Sequence, residues 1–227
     1  MVNVNSFSMG IPTPQWQSKK INWNNFTATT ISAFYEGSTQ GRFSYIYSSD
    51  INGDNSNADL IYVPNKASDL TFTDITGTGG VVLFSKQDQM EAFQKYIDQD
   101  KYLSTHKGGF ADKSGAKFPW YHRLDLRILQ DFNIQVNGKK HTIQFSADML
   151  NALNFINKDW GIFQELNVNN AAILRPSVNS TTGTVTYQLN TTVDRATGMS
   201  VLPTSTFRNA YTNSSVWGLQ LGLRYSF

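Results

Sequence analysis

Cysteine is missing from all 227 residues, which removes disulfide scaffolds and thiolate metal sites as ways of holding the chain together. That absence leaves the compartment open. Long hydrophobic runs are missing too: no stretch approaches the roughly 18 consecutive apolar residues of a membrane helix, so any crossing of a bilayer has to be made with strands. Charge is scarce. Only 16% of residues are charged and the formal net charge is +2, too little for a nucleic-acid surface, and no basic run interleaves with aromatics. Nucleic acid is therefore not an expected partner. His106, His122 and His141 stand far apart and lack the close helical spacing of a zinc site. No nucleophile elbow and no phosphate-cradling glycine loop with its lysine is present, and Gly77-Thr78-Gly79-Gly80 reads as a flexible turn. No catalytic residue is nominated, and no enzymatic activity is expected. The opening Met1-Val2-Asn3-Val4-Asn5-Ser6-Phe7 has neither the positive region nor the apolar region of a secretory leader. Either the chain is cytosolic or it is the tail of something longer, and the carboxyl end favours the second.

Aromatic residues are plentiful at 13%, and the last strand shows how they are used. Trp217, Leu219, Leu221, Leu223, Tyr225 and Phe227 alternate with Gln220, Gly222, Arg224 and Ser226. That is the period of a strand with one apolar and one polar face. An apolar row with aromatics at both ends fits a lipid-facing surface, with polar residues turned to a lumen. Gln220, Gly222, Tyr225 and Phe227 resemble the C-terminal signal that bacterial outer-membrane barrels present to their assembly machinery.

Seven strands are expected, over residues 25–36, 42–49, 120–136, 139–153, 160–178, 184–190 and 215–227. The links 37–41, 137–138 and 179–183 are short and rich in Gly, Ser and Asn, whereas 50–119 and 191–214 are long. Strict alternation of the two classes, with 154–159 taking a long-loop place, is the pattern of an outer-membrane barrel with periplasmic turns and extracellular loops. The expected fold is thus all-β: an antiparallel transmembrane β-barrel segment with one long loop containing a short helix. Residues 1–24 form a lead-in, and residues 25–227 the C-terminal part of the barrel with extracellular loop 50–119. In that loop Ser85 is placed to cap a helix with Asp88 at its third position, and Met90, Phe93, Tyr96 and Ile97 recur at helical spacing. A small helix packing on the loop's own core is preferred to a partner-binding one.

Asn137-Gly138 is the preferred pair for a two-residue type I′ hairpin, so Val136 should oppose Lys139. The register then puts Leu126 against Met149, Ile128 against Ala147, and Arg127 against Asp148 as a charge pair on the polar face. A ladder contact that pins register is preferred there to a ligand contact.

One loop carries metal-type ligands. Asp50, Asn52, Asp54 and Ser56 alternate like the first oxygen ligands of an EF-hand calcium loop, with Asp59 close behind. Asn55 stands where that loop needs glycine and Ile61 where it needs glutamate, so an Asx-rich turn bonding its own backbone is the competing reading. Calcium is the one candidate cofactor.

Several separated segments carry a wider resemblance. They are Asp50-Ile51-Asn52-Gly53-Asp54 leading to Ala58-Asp59-Leu60-Ile61-Tyr62-Val63-Pro64, then Phe118-Pro119-Trp120-Tyr121-His122-Arg123-Leu124-Asp125-Leu126-Arg127, then Ala147-Asp148-Met149-Leu150-Asn151-Ala152-Leu153-Asn154, and Trp160-Gly161. In this order they resemble TonB-dependent receptors of the Bacteroidetes, and within these the Oar-like group whose full-length members carry a carboxypeptidase-regulatory-like domain. The resemblance implies a 22-stranded barrel closed by a plug, importing an unknown ligand across the outer membrane. Its implied partners are outer-membrane lipid, the barrel assembly machinery and, through an N-terminal part missing here, TonB. No plug and too few strands for such a barrel are visible, so a C-terminal receptor fragment, not functional alone, is expected. The alternatives are a secreted or surface β-rich binding or adhesion protein and a passive outer-membrane pore. The Asn-X-Ser/Thr triplets at Asn25, Asn179, Asn190 and Asn213 would matter to the first of these.

Overall fold

The computed structural model describes residues 27–212 and 215–227. The expected lead-in 1–24, the start of the first strand and the triplets at Asn25 and Asn213 lie wholly or partly outside the described residues. Strands predominate. The elements used below are β1 (Thr27–Thr39), β2 (Ile46–Tyr47), α1 (Lys86–Gln99), β3 (Trp120–Val136), β4 (Lys139–Leu150), α2 (Ala152–Ile156), β5 (Ala172–Val178), β6 (Val185–Leu189) and β7 (Gly218–Ser226). The described residues divide between two compact units: one spans 27–39, 120–163, 209–212 and 215–227, the other 40–119 and 164–208.

The first unit is built on a four-stranded antiparallel sheet in the order β1-β3-β4-β7. Its register starts at the hairpin. Asn137 and Gly138 both take positive φ, 49° and 75°, the pair of angles a type I′ turn demands and Asn-Gly supplies at least cost. Val136 therefore opposes Lys139, and the ladder runs through Leu126↔Met149, Ile128↔Ala147 and Arg127↔Asp148, the register read from the sequence. On β4 the next ladder pairs Ala147 with Leu221 and Phe145 with Leu223. On the other side β1 meets β3 with Ile31 against Ile128.

Beyond the sheet, β4 stops three residues earlier than expected. Asn151 turns left-handed (φ 50°) and α2 follows. Asn151 is buried, and its side-chain amide donates to the carbonyls of Gly161 and Ser215, each at 2.8 Å, while its own N–H reaches Asp125 Oδ1. Asn154 repeats the device, donating to the carbonyls of Lys158 and Trp160 and accepting from Trp217 N–H. Two asparagines thus hold the 152–161 turn and the entry to β7 in one hydrogen-bonded knot. Gly161 sits at φ 64° with no room for a Cβ against Asn151 Oδ1.

The second unit has its own core, in which Tyr45, Ile61, Phe93, Tyr96, Ile97, Leu103, Ile173 and Leu174 are all fully buried. Ser85 caps α1 in a capping box with Asp88, as its sequence implies, and the hydrogen bond from Ser85 holds the Asp88 carboxyl below its usual range. Phe93, Tyr96 and Ile97 face the core, and Met90 packs at its margin. Buried Asp100 binds the unit's parts together: it accepts from the hydroxyls of Tyr45 (2.6 Å) and Thr206 (2.5 Å) and from the N–H groups of Tyr102 and Leu103. Burial pushes the Tyr45 hydroxyl well above its ordinary pKa, so it stays a donor. A small sheet, β6-β5-β2, completes the unit.

The structure revises the seven-strand ladder. Four long strands form the sheet, and residues 42–49 hold only two-residue strands. The expected strand over 160–178 is broken by the turn at Gly161 and by a 3₁₀ turn at Asn169–Ala171, and its second half joins β6 in the other unit. The alternation of turns falls with it. Gly37 and Thr39 continue β1 opposite His122 and Trp120, at the sheet end away from Asn137-Gly138, so 37–41 is not a turn of the same class as 137–138. The 179–183 link joins β5 to β6 inside the second unit. The long loop is larger than 50–119: residues 40–119 and 164–208 fold together.

Replacing Asn151 by Ala should destabilise the first unit by roughly 2 kcal/mol or more, because the buried carbonyls of Gly161 and Ser215 each lose a side-chain donor. Urea titration of the full chain in detergent measures this; a change below about 0.5 kcal/mol contradicts the knot.

Candidate functional site

Residues opposed across an antiparallel ladder point to the same side, so the registers sort the whole sheet into two faces. On one face stand Ile31 and Ala33 of β1, Leu124, Leu126, Ile128, Phe132 and Ile134 of β3, Ile143, Phe145, Ala147 and Met149 of β4, and Leu219, Leu221 and Leu223 of β7, with the hydrogen-bonded Thr29 and Gln130 as a polar pair among them. Nothing among the described residues covers the centre of this face: Phe145 is 51%, Leu221 73% and Leu223 69% exposed. A contiguous bare face of this kind marks a surface meant to meet lipid or another protein.

Both ends of the apolar face are finished by a tyrosine bonded to a histidine. At one end Tyr35 Oη lies 2.6 Å from His122 Nδ1, and Trp120 stacks on the same imidazole. At the other, Tyr225 Oη lies 2.5 Å from His141 Nδ1, and Phe227 stacks on Tyr225. These rings have an apolar body and a polar edge, the chemistry of a water–hydrocarbon boundary.

The opposite face is polar. Arg127 Nε and Asp148 Oδ1 are 2.5 Å apart, and Arg123 pairs with Asp125 at 2.9 Å. Gln144 donates to Asp131 and Thr142 to Asn133 across the same ladder. Arg127 is more than half exposed, so its ion pair contributes no more than about 0.2–1 kcal/mol. Its larger effect is on register, since a one-residue slip of β3 would move Arg127 to the apolar face and part it from Asp148. Of the terminal residues singled out in the sequence, Gln220 opposes Asp148 on this face. Gly222 opposes Ser146, whose Oγ would lie 2.5 Å from any added Cβ, so glycine is required there for close packing.

The acidic loop does gather its carboxylates: oxygens of Asp50, Asp54 and Asp59 lie within 4.8 Å of one another. Hydrogen bonds already occupy them. Asp50 accepts from the N–H groups of Asn52, Gly53 and Asn55, which holds its carboxyl below the usual range. Asp54 accepts from Ser56 N–H, and Asp59 from Ile51 N–H and the Asn52 side chain. Ser56 contributes its backbone N–H, and Asn52 bridges two of the acids. Gly53 and Asn55 take positive φ, so the segment is a chain of Asx turns closed on itself.

The asparagine knot, the two Tyr–His pairs and the Asp100 network escape sequence reading because each joins residues far apart in the chain. Alternation alone hinted at the pairs, since His122, His141 and Tyr225 share the apolar period. No family model, no curated protein and no solved structure matches the chain.

If the acidic loop is an Asx-turn structure, millimolar calcium should leave the melting temperature of the full chain unchanged. A calcium-dependent rise that vanishes in Asp54→Ala overturns that reading in favour of a cation site.

Proposed function

We propose that the sheet is the membrane-crossing part of a larger outer-membrane β-barrel, and that the chain is the C-terminal portion of a TonB-dependent receptor that imports a ligand across the outer membrane. One observation carries the reading: the sheet has an apolar face that nothing among the described residues covers and a polar, charge-paired face behind it. In water that arrangement wastes the hydrophobic effect. In a bilayer it is what a barrel wall needs, with lipid on the apolar side and a wet interior on the other.

Dimensions support it. From His122 to Ile134, where His141 pairs, β3 spans about 40 Å at the usual rise of roughly 3.4 Å per residue, or about 30 Å along the membrane normal at the ~40° tilt of barrel strands. That is about the thickness of the hydrocarbon layer. The Tyr–His pairs then fall at the two interfaces as parts of aromatic girdles. Among the described residues β1 and β7 have no second neighbour, and an open edge in hydrocarbon costs several kcal/mol per unsatisfied backbone group. Further strands must pair with both, so the barrel is completed by residues beyond those described. The choice of a receptor over a passive pore rests on the resemblance set out above.

The tight hairpin at Asn137-Gly138 is then periplasmic, and the long connections leave the sheet at the extracellular end. In intact cells making the full-length protein, an impermeant thiol reagent should label Ser104→Cys and Thr181→Cys but not Asn137→Cys. Labelling of Asn137→Cys alone reverses the orientation, and equal labelling of all three with the protein in the soluble fraction overturns the membrane reading.

The carboxyl end gives a second test. Replacing Tyr225 and Phe227 with Ser removes one girdle and the assembly signal, so the protein should be depleted several-fold from the outer membrane. Unchanged surface levels contradict this.

A further inference from the structure

The second unit contains two adjoining clefts of about 440 and 710 Å³, and Asn169, Asn170 and Thr191 line both. The ridge between them is backbone held against its preference. Asn170 and Ala171 take φ of 55° and 54° in succession, and neither is glycine. Asparagine tolerates the left-handed region; alanine does not. Ala171 is completely buried, so its surroundings force the angle, and strain imposed this way collects at ligand clamps.

What the turn presents is uncommitted. Among the described residues, the side chains of Asn169, Asn170 and Arg175 are exposed and have no hydrogen-bond or ion-pair partner. The carboxylate bordering the wider cleft, Glu165, is already taken by Arg195 and Arg208, so no free acid there opposes an anionic ligand. An asparagine amide offers one acceptor and two donors, the complement of a peptide unit. A guanidinium fork fits a carboxylate. Among the described residues lining the clefts, the aromatic rings are already engaged: Tyr47 is buried, and Phe118 packs against Phe43 and Phe207.

We infer that these clefts form a binding site for an extended acidic peptide, with Asn169 and Asn170 meeting its main chain and Arg175 a carboxylate side chain. The site stands whether or not the sheet crosses a membrane.

Fluorescence anisotropy on the full chain tests this with a labelled tetrapeptide of alternating alanine and glutamate, its glutamine counterpart, and glucuronate as competitor. The acidic peptide should bind saturably, and Arg175→Gln or the glutamine peptide should each weaken binding about tenfold, the loss of one charge-assisted pair at ~1.4 kcal/mol. Asn170→Gly removes the amide while keeping the positive φ accessible, so it should preserve the melting temperature and still weaken the peptide; a purely structural turn would show only the first effect. The site is overturned by absence of saturable binding at millimolar peptide, by unchanged affinity in both variants, or by glucuronate competing as well as the acidic peptide.

Discussion

Everything in the first unit depends on the register of one hairpin. Two positive φ angles at Asn137 and Gly138 fix Val136 opposite Lys139, and from that pair the period of two assigns each residue of β3 and β4 to a face. The neighbouring ladders propagate the assignment to β1 and β7. The result is a sheet whose two sides have opposite solvent preferences, and the Arg127–Asp148 and Arg123–Asp125 pairs make the arrangement costly to invert. Such a sheet is not self-sufficient. Among the described residues nothing covers its apolar side or pairs with its edges, and the proposed bilayer and additional strands meet both needs at once.

The second unit solves a different problem. It buries aromatic and aliphatic side chains around α1 and the small β6-β5-β2 sheet, and it satisfies the polar atoms that burial would otherwise orphan. Asp100 is the clearest case, with four donors converging on one carboxylate. A buried charge lacking such partners would be among the more damaging features a core can contain. Gln89 plays the same part nearby, donating to Thr73 and accepting from Leu189 N–H while fully buried.

Local signals were legible in the sequence and long-range ones were not. The type I′ pair, the Ser85–Asp88 capping box and the alternation of β7 each lie within a few residues, and each reads directly as backbone geometry. Strand β3 was bounded by Pro119 on one side and the hairpin on the other, which is why its limits coincide with those expected. Residues 160–178 misled because apolar residues recur there with strand-like composition while Gly161, Asn170 and Ala171 break the backbone. Only tertiary packing, which buries Ala171 at an unfavourable angle, reveals the break. Counting short and long links as barrel turns failed for a related reason: composition does not tell which strands pair, and 179–183 closes a hairpin in a separate unit. For the site, the polar ladder and the acidic cluster were visible as patterns, whereas the clefts around Asn170 draw on residues more than a hundred positions apart.

The most direct test of the central claim is the accessibility of successive positions on β7 in lipid vesicles holding the full chain. Single fluorophores attached at residues 219 to 224, one at a time, are challenged with brominated acyl chains and with a water-soluble quencher. A barrel wall predicts quenching by lipid at Leu219, Leu221 and Leu223 and by the aqueous agent at Gln220, Gly222 and Arg224, in strict alternation. Equal aqueous quenching at all six positions, or failure of the chain to associate with the vesicles, would contradict a membrane-crossing sheet.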